Sequence, residues 1–401
     1  MRILLHDHAG HAFPAGLGRE LARRGHRVNH VHCATFDSAK GGLIARADDP
    51  PSLTFGVLSH RRTFAKYRWL MRAAQEVEYG LRASRLIRHW QPDVIISCNT
   101  PLLSQAMMSW YARHARVPSV AWVQDLYSAA AADVVTSLAG PAASALTWSL
   151  QRIEARTLRA SEQVVSISSS LVPQLLKWGV RDERVTVIPN WAHTDEIPVL
   201  ARPTGWERRH DLEGRFVFAY SGILGLKHNP TVLLELAIRF AGRAELVVVA
   251  ADGPGKSWLR NQAAARHVRN IHLLGLEPHQ VHPEVLGTAD VLIALLTDQS
   301  GRYSVPSKVL SYLCAGRPII GVMPIDNDAA EMICRSRAGH VVPPDDHRRV
   351  LKVAEQLYDD AGARVRMGTA ARTFALTEFD VVRRADEFES ILHRAVAERN
   401  R

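Results

Sequence analysis

The regular alternation of short apolar strands with amphipathic helices most constrains how this chain can fold. Segments such as Asp93–Ser97 and Gln163–Ser168 are short, continuous and rich in β-branched residues. Strands of this kind are typical of parallel sheets, in which helical connections cover both faces. The sequence therefore predicts an α/β protein built from doubly wound parallel sheets.

The alternation is interrupted once, by a charged segment with prolines and no apolar period. A chain of 401 residues is long enough for two domains. We predict two Rossmann-like domains that face each other across a cleft, where ligands bind outside the carboxyl ends of the strands. The predicted parts are an N-terminal domain over residues 1–195, a linker over 196–215, a C-terminal domain over 216–376, and a final helix over 377–401 that packs back toward the N-terminal domain.

Composition excludes several classes of protein. The net charge is +10, but the chain carries no nucleic-acid-binding motif and no long basic run, so no nucleic-acid partner is expected. The four cysteines are far apart and lack metal-ligand spacing, which indicates a reducing compartment, thiols in the core and no structural zinc site. His6 and Asp7 interrupt the N-terminal apolar run, and no stretch reaches about 20 apolar residues. A cytoplasmic location is expected.

Two segments of the second half place a lysine at the start of a predicted helix. One is the glycine turn from Ser221 to Pro230, which contains Gly222 and Lys227, and the other contains Lys308. Glycine lets a backbone approach a ligand closely, and a helix N-terminus attracts anions. The pair of lysine turns favours a phosphate site over two ordinary turns. The glycines after Ala250 do not have the spacing of a P-loop.

Polar residues also follow predicted strands of the first half. Gln124 and Asp125 come directly after the strand Ser119–Val123. They are candidates for ligand contacts, although a helix N-cap explains the aspartate equally well. His8 and His11 follow the first strand, where a hydrogen bond to a substrate is a better explanation than a metal site. No metal ligand is therefore assigned.

The segment from His60 to Gln75 is basic and aromatic. It fits an interfacial helix that contacts an anionic membrane and, equally, a packed helix with a solvated basic face. The first interpretation predicts peripheral contact with the cytoplasmic face of the inner membrane. The residues concerned are Arg61, Arg62, Lys66, Arg68, Trp69 and Arg72.

Together, six motifs resemble the GT-B-fold glycosyltransferases of family 4 over nearly the full chain. The resemblance is greatest to bacterial transferases of O-antigen, capsule and colanic-acid assembly, including the L-fucosamine transferase group. It implies a nucleotide-sugar donor on the second domain, an acceptor on the first, retention at the anomeric carbon, and neither metal nor cofactor. The motifs are PDVIIS (92–97), WVQDLY (122–127), VTVIPN (185–190), SGILGLKHNP (221–230), PSKVLSYLCAGRPII (306–320) and AGHVVPPDD (338–346).

The resemblance also assigns roles to residues. The implied catalytic residues are Asp125, Lys227 and Lys308. The acceptor-side candidates, chosen because they follow strands of the first half, are His8, His11 and Gln124. The implied donor-binding residues are Gly16, Ser221, Gly222, Lys227, Gly253, Leu276, Pro306, Ser307, Lys308 and Ser311.

The sequence departs from the family at three positions. Tyr303 and Ser311 stand where many members carry two glutamates, which bind the donor sugar and the ribose hydroxyls. A family arginine that partners the first lysine falls near Ile223. Lys308 is then the candidate to supply the charge that this arginine would provide.

The leading hypothesis is a retaining hexosyl- or N-acetylaminosugar transferase that uses a nucleotide-diphosphate donor, with UDP favoured. Its acceptor is a hydroxyl of a sugar or a lipid-linked glycan. Two alternatives stay open: a nucleotide-sugar 2-epimerase of the same fold, and a non-catalytic nucleotide-sugar-binding protein. The donor sugar, the linkage and the oligomeric state are not determined by the sequence.

Overall fold

The structure, a computed structural model, describes most of the chain. The described residues are 1–35, 42–60, 69–129, 141–225, 228–250, 253–301 and 304–399. Their contacts divide into two compact units, one of Met1–Asn190 with Val381–Arg401 and the other of Trp191–Asp380.

The first unit is built on a parallel sheet, seven strands of which lie in the described residues. The strand order is β3-β2-β1-β4-β5-β6-β7. The strands are β1 (Arg2–Asp7), β2 (Arg27–Cys33), β3 (Leu53–Leu58), β4 (Val94–Cys98), β5 (Ser119–Val123), β6 (Gln163–Ser166) and β7 (Val185–Val187).

The second unit is built on a parallel sheet with six described strands. Its order is β10-β9-β8-β11-β12-β13. The strands are β8 (Val217–Gly222), β9 (Glu245–Ala250), β10 (Ile271–Leu274), β11 (Val291–Leu295), β12 (Ile319–Val322) and β13 (Gly339–Val342). The prediction of doubly wound parallel sheets is thus confirmed.

Helices connect the strands in both units. In the first unit they are α1 (Ala12–Arg23), α2 (Trp69–Trp90), α3 (Leu102–His114), α4 (Pro141–Ala160), α5 (Val172–Lys177) and the C-terminal α15 (Val381–Arg399). In the second unit they are α6 (Gly205–Arg209), α7 (Thr231–Arg239), α8 (Pro254–Ala265), α9 (His282–Thr288), α10 (Asp298–Gly301), α11 (Lys308–Cys314), α12 (Asp328–Ser336), α13 (His347–Asp359) and α14 (Ala361–Glu378).

Both sheets reverse their strand order once. In the first sheet the reversal lies between β1 and β4, and in the second it lies between β8 and β11. Sheets with this topology bind ligands at the carboxyl ends of the strands on either side of the reversal. Each unit therefore has one preferred place for a ligand.

Residues 196–215, for which a linker was predicted, are folded with the second unit. Thr204 and Glu207 form a capping box at the start of α6, which satisfies helix N–H groups that would otherwise lack partners. The Arg202 guanidinium forms ion pairs with Glu207 and Asp290. These contacts, together with the buried Trp206, hold the segment against the sheet that begins with β8.

The last helix, α15, is joined to the first unit by charged contacts. Glu389 accepts hydrogen bonds from Arg24 (3.0 Å) and from His26 (2.8 Å). Phe388 packs with its ring 4.5 Å from that of Trp122 on β5. The residues between α14 and α15 thus mark the point where the chain returns to the first sheet.

The prediction that cysteines lie in the core is wrong at one position. Cys33, Cys98 and Cys314 are buried, but Cys334 is exposed. Cys334 lies on α12, a helix with one apolar face, and points away from that face.

Candidate active site

A tyrosine from α11 is hydrogen-bonded to the backbone at the carboxyl end of β8. The Tyr312 hydroxyl accepts a hydrogen bond from the Ser221 N–H (3.0 Å) and lies 3.2 Å from the carbonyl oxygen of Ile293 on β11. Both strands flank the reversal of the second sheet. Tyr312 is fully buried. Its hydroxyl therefore satisfies backbone groups that would otherwise lack hydrogen-bond partners at the point where β8 and β11 separate.

Lys308, the first residue of α11, lies directly at this point. Its Nζ is 3.5 Å from the centre of the Tyr220 ring. A Cβ placed on Gly222 would lie 3.7 Å from the same nitrogen, and Gly222 has a φ of 121°, which favours glycine. Tyr220 is oriented by its hydroxyl, which donates to the carbonyl oxygen of Ile223 (2.6 Å). The structure thus brings Gly222 and Lys308 together, and their contact with a donor stays a prediction.

Burying the Lys308 ammonium in this position costs folding free energy. Its Nζ is buried and has no hydrogen-bond partner in the described part of the chain. Burial lowers the pKa of Lys308 well below 10.5. A cation over an aromatic ring is partly stabilised, but an ammonium group has three donors, and a bound anion would satisfy them. The arrangement is therefore suited to a negatively charged ligand.

The other predicted donor residues follow strands or begin helices of the same sheet. Gly253 is the N-cap of α8, and Leu276 lies two residues beyond β10. Pro306 and Ser307 precede Lys308, and Ser307 is exposed at the N-cap of α11. Ser311 lies one turn into α11.

The lysine of the rejected P-loop pattern has a structural role. Lys256 is buried, and its Nζ donates to the carbonyl oxygen of Ala250 (2.9 Å). A Cβ on Gly255 would lie 2.6 Å from the carbonyl oxygen of Leu224, so this glycine allows two backbone segments to approach closely. Lys227 and Tyr303 lie outside the described residues.

In the first unit, a buried carboxylate organises the carboxyl end of β1. Asp7 accepts hydrogen bonds from the N–H groups of Ala9 (3.2 Å) and His11 (2.6 Å), and from the side-chain amide of Asn99 (3.2 Å). Burial raises the pKa of Asp7, while the charge of His11 and these bonds act in the opposite direction. The predicted acceptor-side residue His11, whose side chain is 31% exposed, is thereby fixed at the start of α1.

The small residues of segment 10–18 predict a loop from sequence alone, and this prediction is wrong because most of the segment is helical. Helix α1 begins at Ala12, and Gly16 is a buried residue inside it. Pro14 lies in the first turn, where its missing N–H is tolerated. A Cβ on Gly18 would be in van der Waals contact with Leu5, at 3.4 Å, so α1 packs directly on β1. The implied contact of Gly16 with the donor stays a prediction.

Gln124 and Asp125 follow β5, as predicted. The Gln124 side chain exchanges two hydrogen bonds with Asn190, at 2.6 and 3.3 Å. Asp125 is half-buried. Just beyond it, Glu154 of α4 accepts hydrogen bonds from the N–H groups of Tyr127 (2.9 Å) and Ser128 (2.8 Å). Sequence reasoning missed Glu154, because its sequence position carries no sign of this distant contact.

His6 and His8, near the start of the chain, contact different residues. His6 is buried, with Thr100 Oγ1 and Tyr79 Oη each 2.9 Å from its ring nitrogens. Burial lowers its pKa to about 3. His8 instead lies beside His60, the first residue of the basic and aromatic segment, with their Nε2 atoms 3.4 Å apart.

Two models of known protein families match the chain. The model for Glycosyltransferase Family 4 matches residues 15–196. The model for Glycosyl transferases group 1 matches residues 206–374. They correspond to the first and second sheets, respectively.

Known proteins show the same relationship. The Escherichia coli (strain K12) protein described as "Putative colanic acid biosynthesis glycosyl transferase WcaI" is 25% identical over 233 residues, which are 57% of each chain. The structure of Anabaena Alr3699/HepE with UDP-glucose is 14% identical, covers 97% of this chain and 99% of its own, and has a TM-score of 0.71. The structure of sucrose-phosphate synthase from Thermosynechococcus elongatus is also 14% identical. It covers 99% of this chain and 100% of its own, with a TM-score of 0.73.

The two sheets and these matches define the class as GT-B-fold enzymes. The chain belongs to the glycosyltransferases of family 4, as its motifs had indicated. The structural likenesses establish the fold, and the relative WcaI is matched over little more than half its length.

The predicted membrane-contacting segment is only partly described. Arg61, Arg62, Lys66 and Arg68 lie outside the described residues, as does the side chain of Trp69. Arg72 donates to Glu76 one helical turn away (2.8 Å). Of the helices in the described ranges, none is both long and apolar enough to cross a membrane.

Proposed function

We propose that this protein is a retaining, metal-independent glycosyltransferase. It transfers a hexosyl or N-acetylaminosugar group from a nucleotide-diphosphate donor, with UDP favoured, to a hydroxyl of a sugar or lipid-linked glycan. The second unit binds the donor and the first binds the acceptor. Family membership and the UDP-glucose named for the similar Anabaena structure support this assignment.

The observation that carries the proposal is the position of Lys308. Its buried Nζ lies at the reversal of the second sheet, 3.5 Å above the Tyr220 ring, with no described hydrogen-bond partner. A protein gains no stability from such a charge, so a role in binding an anion explains its presence. The diphosphate of a nucleotide sugar carries the required charge.

The chemistry follows from the leaving group. As the bond between the sugar and the diphosphate breaks, negative charge grows on the phosphate oxygen, and a preorganised ammonium from Lys308 stabilises it. The acceptor hydroxyl attacks from the same face, and its proton passes to the departing phosphate oxygen. Lys227 shares the charge, and Asp125 orients the donor sugar. The first-unit residues His11 and Gln124 contact the acceptor, whereas the predicted acceptor-side residue His8 is buried beside His60.

The first test is a thermal-shift panel with UDP, GDP, ADP, dTDP and CMP, each with and without EDTA. We expect UDP to raise the midpoint, because a ligand that binds only the folded state stabilises it by ~2.7 kcal/mol at a hundredfold excess over its Kd. The UDP-dependent shift is measured once with EDTA in both samples and once with EDTA in neither. The two shifts should be equal.

A positive shift is followed by incubation of the matching nucleotide sugars with and without candidate acceptors. Transfer, or slow donor hydrolysis, supports the proposal. Epimerised donor without any acceptor would instead identify a 2-epimerase. Binding without transfer or hydrolysis would identify a non-catalytic binding protein, and no shift with any nucleotide would reject the donor site.

We also propose that the protein acts at the cytoplasmic face of a membrane, through the basic segment from Arg61 to Arg72. Co-sedimentation with vesicles that contain anionic lipid should be lost on charge reversal of Arg61, Arg62 and Lys66, but kept on charge reversal of Arg266 and Arg269 in the second unit. Activity on a lipid-linked acceptor should fall with it. Equal sedimentation of both variants would contradict the membrane contact.

A further inference from the structure

Three metal-ligating side chains meet at the carboxyl edge of the first sheet. His8 follows β1, Cys33 ends β2, and His60 lies two residues after β3. All three residues are at most 4% exposed. One ligand atom from each lies within 4.8 Å of the other two, and the residues described by the structure contain no other such group of three.

Strand register explains why residues so far apart in sequence come together. Asp7 on β1 is paired with His32 on β2, so that His8 and Cys33 form the next pair; the Cys33 N–H donates to the His8 carbonyl oxygen (3.3 Å). Cys33 is in turn paired with Leu58 on β3. Side chains at matched positions of neighbouring strands point to the same face, and His60 follows Leu58 by one two-residue period.

The loop that carries His60 is hydrogen-bonded to the residues that follow β2. The His60 N–H donates to Thr35 Oγ1 (3.0 Å), and the same hydroxyl lies 3.4 Å from Cys33 Sγ. The rings of His8 and His60 also pack on Tyr79, at 4.8 and 5.0 Å between ring centres. The three side chains are therefore held by contacts from neighbouring elements.

The distance between the two histidine nitrogens fits tetrahedral coordination. The two histidine Nε2 atoms are 3.4 Å apart. In a tetrahedral site with metal–nitrogen distances of about 2.0–2.1 Å, two nitrogen ligands are about 3.3–3.4 Å apart. Two imidazoles and a thiolate suit Zn²⁺ and its neighbours among the transition metals, whereas Mg²⁺ and Ca²⁺ prefer oxygen.

We propose that His8, Cys33 and His60 bind one borderline-soft transition-metal cation, for which Zn²⁺ is the best match. The other histidines near the first strand are not part of this trio: His6 is bonded to Thr100 and Tyr79, and the His11 N–H donates to Asp7. Three protein ligands leave one tetrahedral position for water. The site is separate from Lys308, so the proposal does not depend on donor binding.

The test uses the full chain, stripped with a chelator and then reconstituted with one equivalent of Zn²⁺ or Co²⁺. After gel filtration, mass spectrometry should find about one Zn²⁺ per chain, and the melting temperature should exceed that of the stripped protein. The Co²⁺ form should show tetrahedral absorption bands and a thiolate-to-metal charge-transfer band. A folded chain that retains no metal would overturn the proposal.

Two ligand variants and a matched control identify the site. Cys33→Ser and His60→Gln should each weaken Zn²⁺ binding by at least about tenfold, and Cys33→Ser should lose the charge-transfer band. Cys98→Ser, which alters a buried cysteine at the end of β4, should keep both properties. Circular dichroism checks that each variant is folded. If Cys33→Ser does not fold, His60→Gln still tests the site, because His60 lies outside the strands. Unchanged binding in a folded ligand variant would show that the histidines only share a hydrogen bond.

Discussion

Replacing Lys308 with methionine is expected to abolish the UDP-dependent thermal shift and sugar transfer while raising the stability of the nucleotide-free protein. Methionine keeps much of the aliphatic length but removes a buried charge that has no described hydrogen-bond partner. We expect a gain of about 1–2 kcal/mol in the free energy of unfolding, or about 2–8 °C in Tm. Thermal melts with and without UDP measure both effects.

The gain in stability should depend on pH. Because burial lowers the pKa of Lys308 in the folded state, the folded protein binds this proton less readily than the unfolded chain does. The cost of the charge is complete below the folded-state pKa and declines as the pH rises toward 10.5, the ordinary value. The advantage of Lys308→Met over the native protein should therefore shrink as the pH is raised.

Lys256 provides the matched control for this substitution. It is also a buried lysine of the second unit, but its ammonium already donates to the Ala250 carbonyl oxygen. Lys256→Met should therefore not raise Tm, and it should leave the UDP-dependent shift in place. If Lys308→Met lowered Tm and kept the UDP shift, Lys308 would be a structural residue that packs on Tyr220, and the proposed donor site would be rejected.

The second large effect is expected from Glu154→Ala. The substitution leaves the buried N–H groups of Tyr127 and Ser128 without their acceptor, directly after Asp125. Each unsatisfied buried donor costs about 1–3 kcal/mol, so the loss of both bonds should cost about 2–6 kcal/mol, or about 4–24 °C in Tm. We also expect kcat for transfer to fall by at least about tenfold, because Asp125 is no longer held in position.

Glu162→Ala separates positioning from stability. Glu162 is also buried, and it accepts a hydrogen bond from the Ser119 N–H (2.7 Å) at the opposite end of β5. Its loss should lower Tm, but kcat measured well below both melting temperatures should stay near the native value. Equal kcat in the two variants would mean that Glu154 supports the fold without positioning Asp125.

Much of the architecture follows from local sequence patterns. The β-branched runs predicted buried parallel strands, and their alternation with helices predicted two doubly wound sheets, because apolar periodicity is a property of neighbouring residues. The lysine at position 308 was also found from its place at the start of a helix. Local patterns misled where packing decides conformation, as in the segment from Gly10 to Gly18, which is mostly helix α1.

Only the tertiary structure decided which side chains meet. Strand order and register place His8 beside Cys33, and a long-range contact places Glu154 beneath the segment after Asp125. Likewise, the sequence marked Lys308 as a candidate, but the burial of its ammonium over Tyr220 depends on how α11 packs against β8. Sequence periodicity determines which face of an element is apolar, whereas the partners of a polar side chain depend on elements that are distant in the chain.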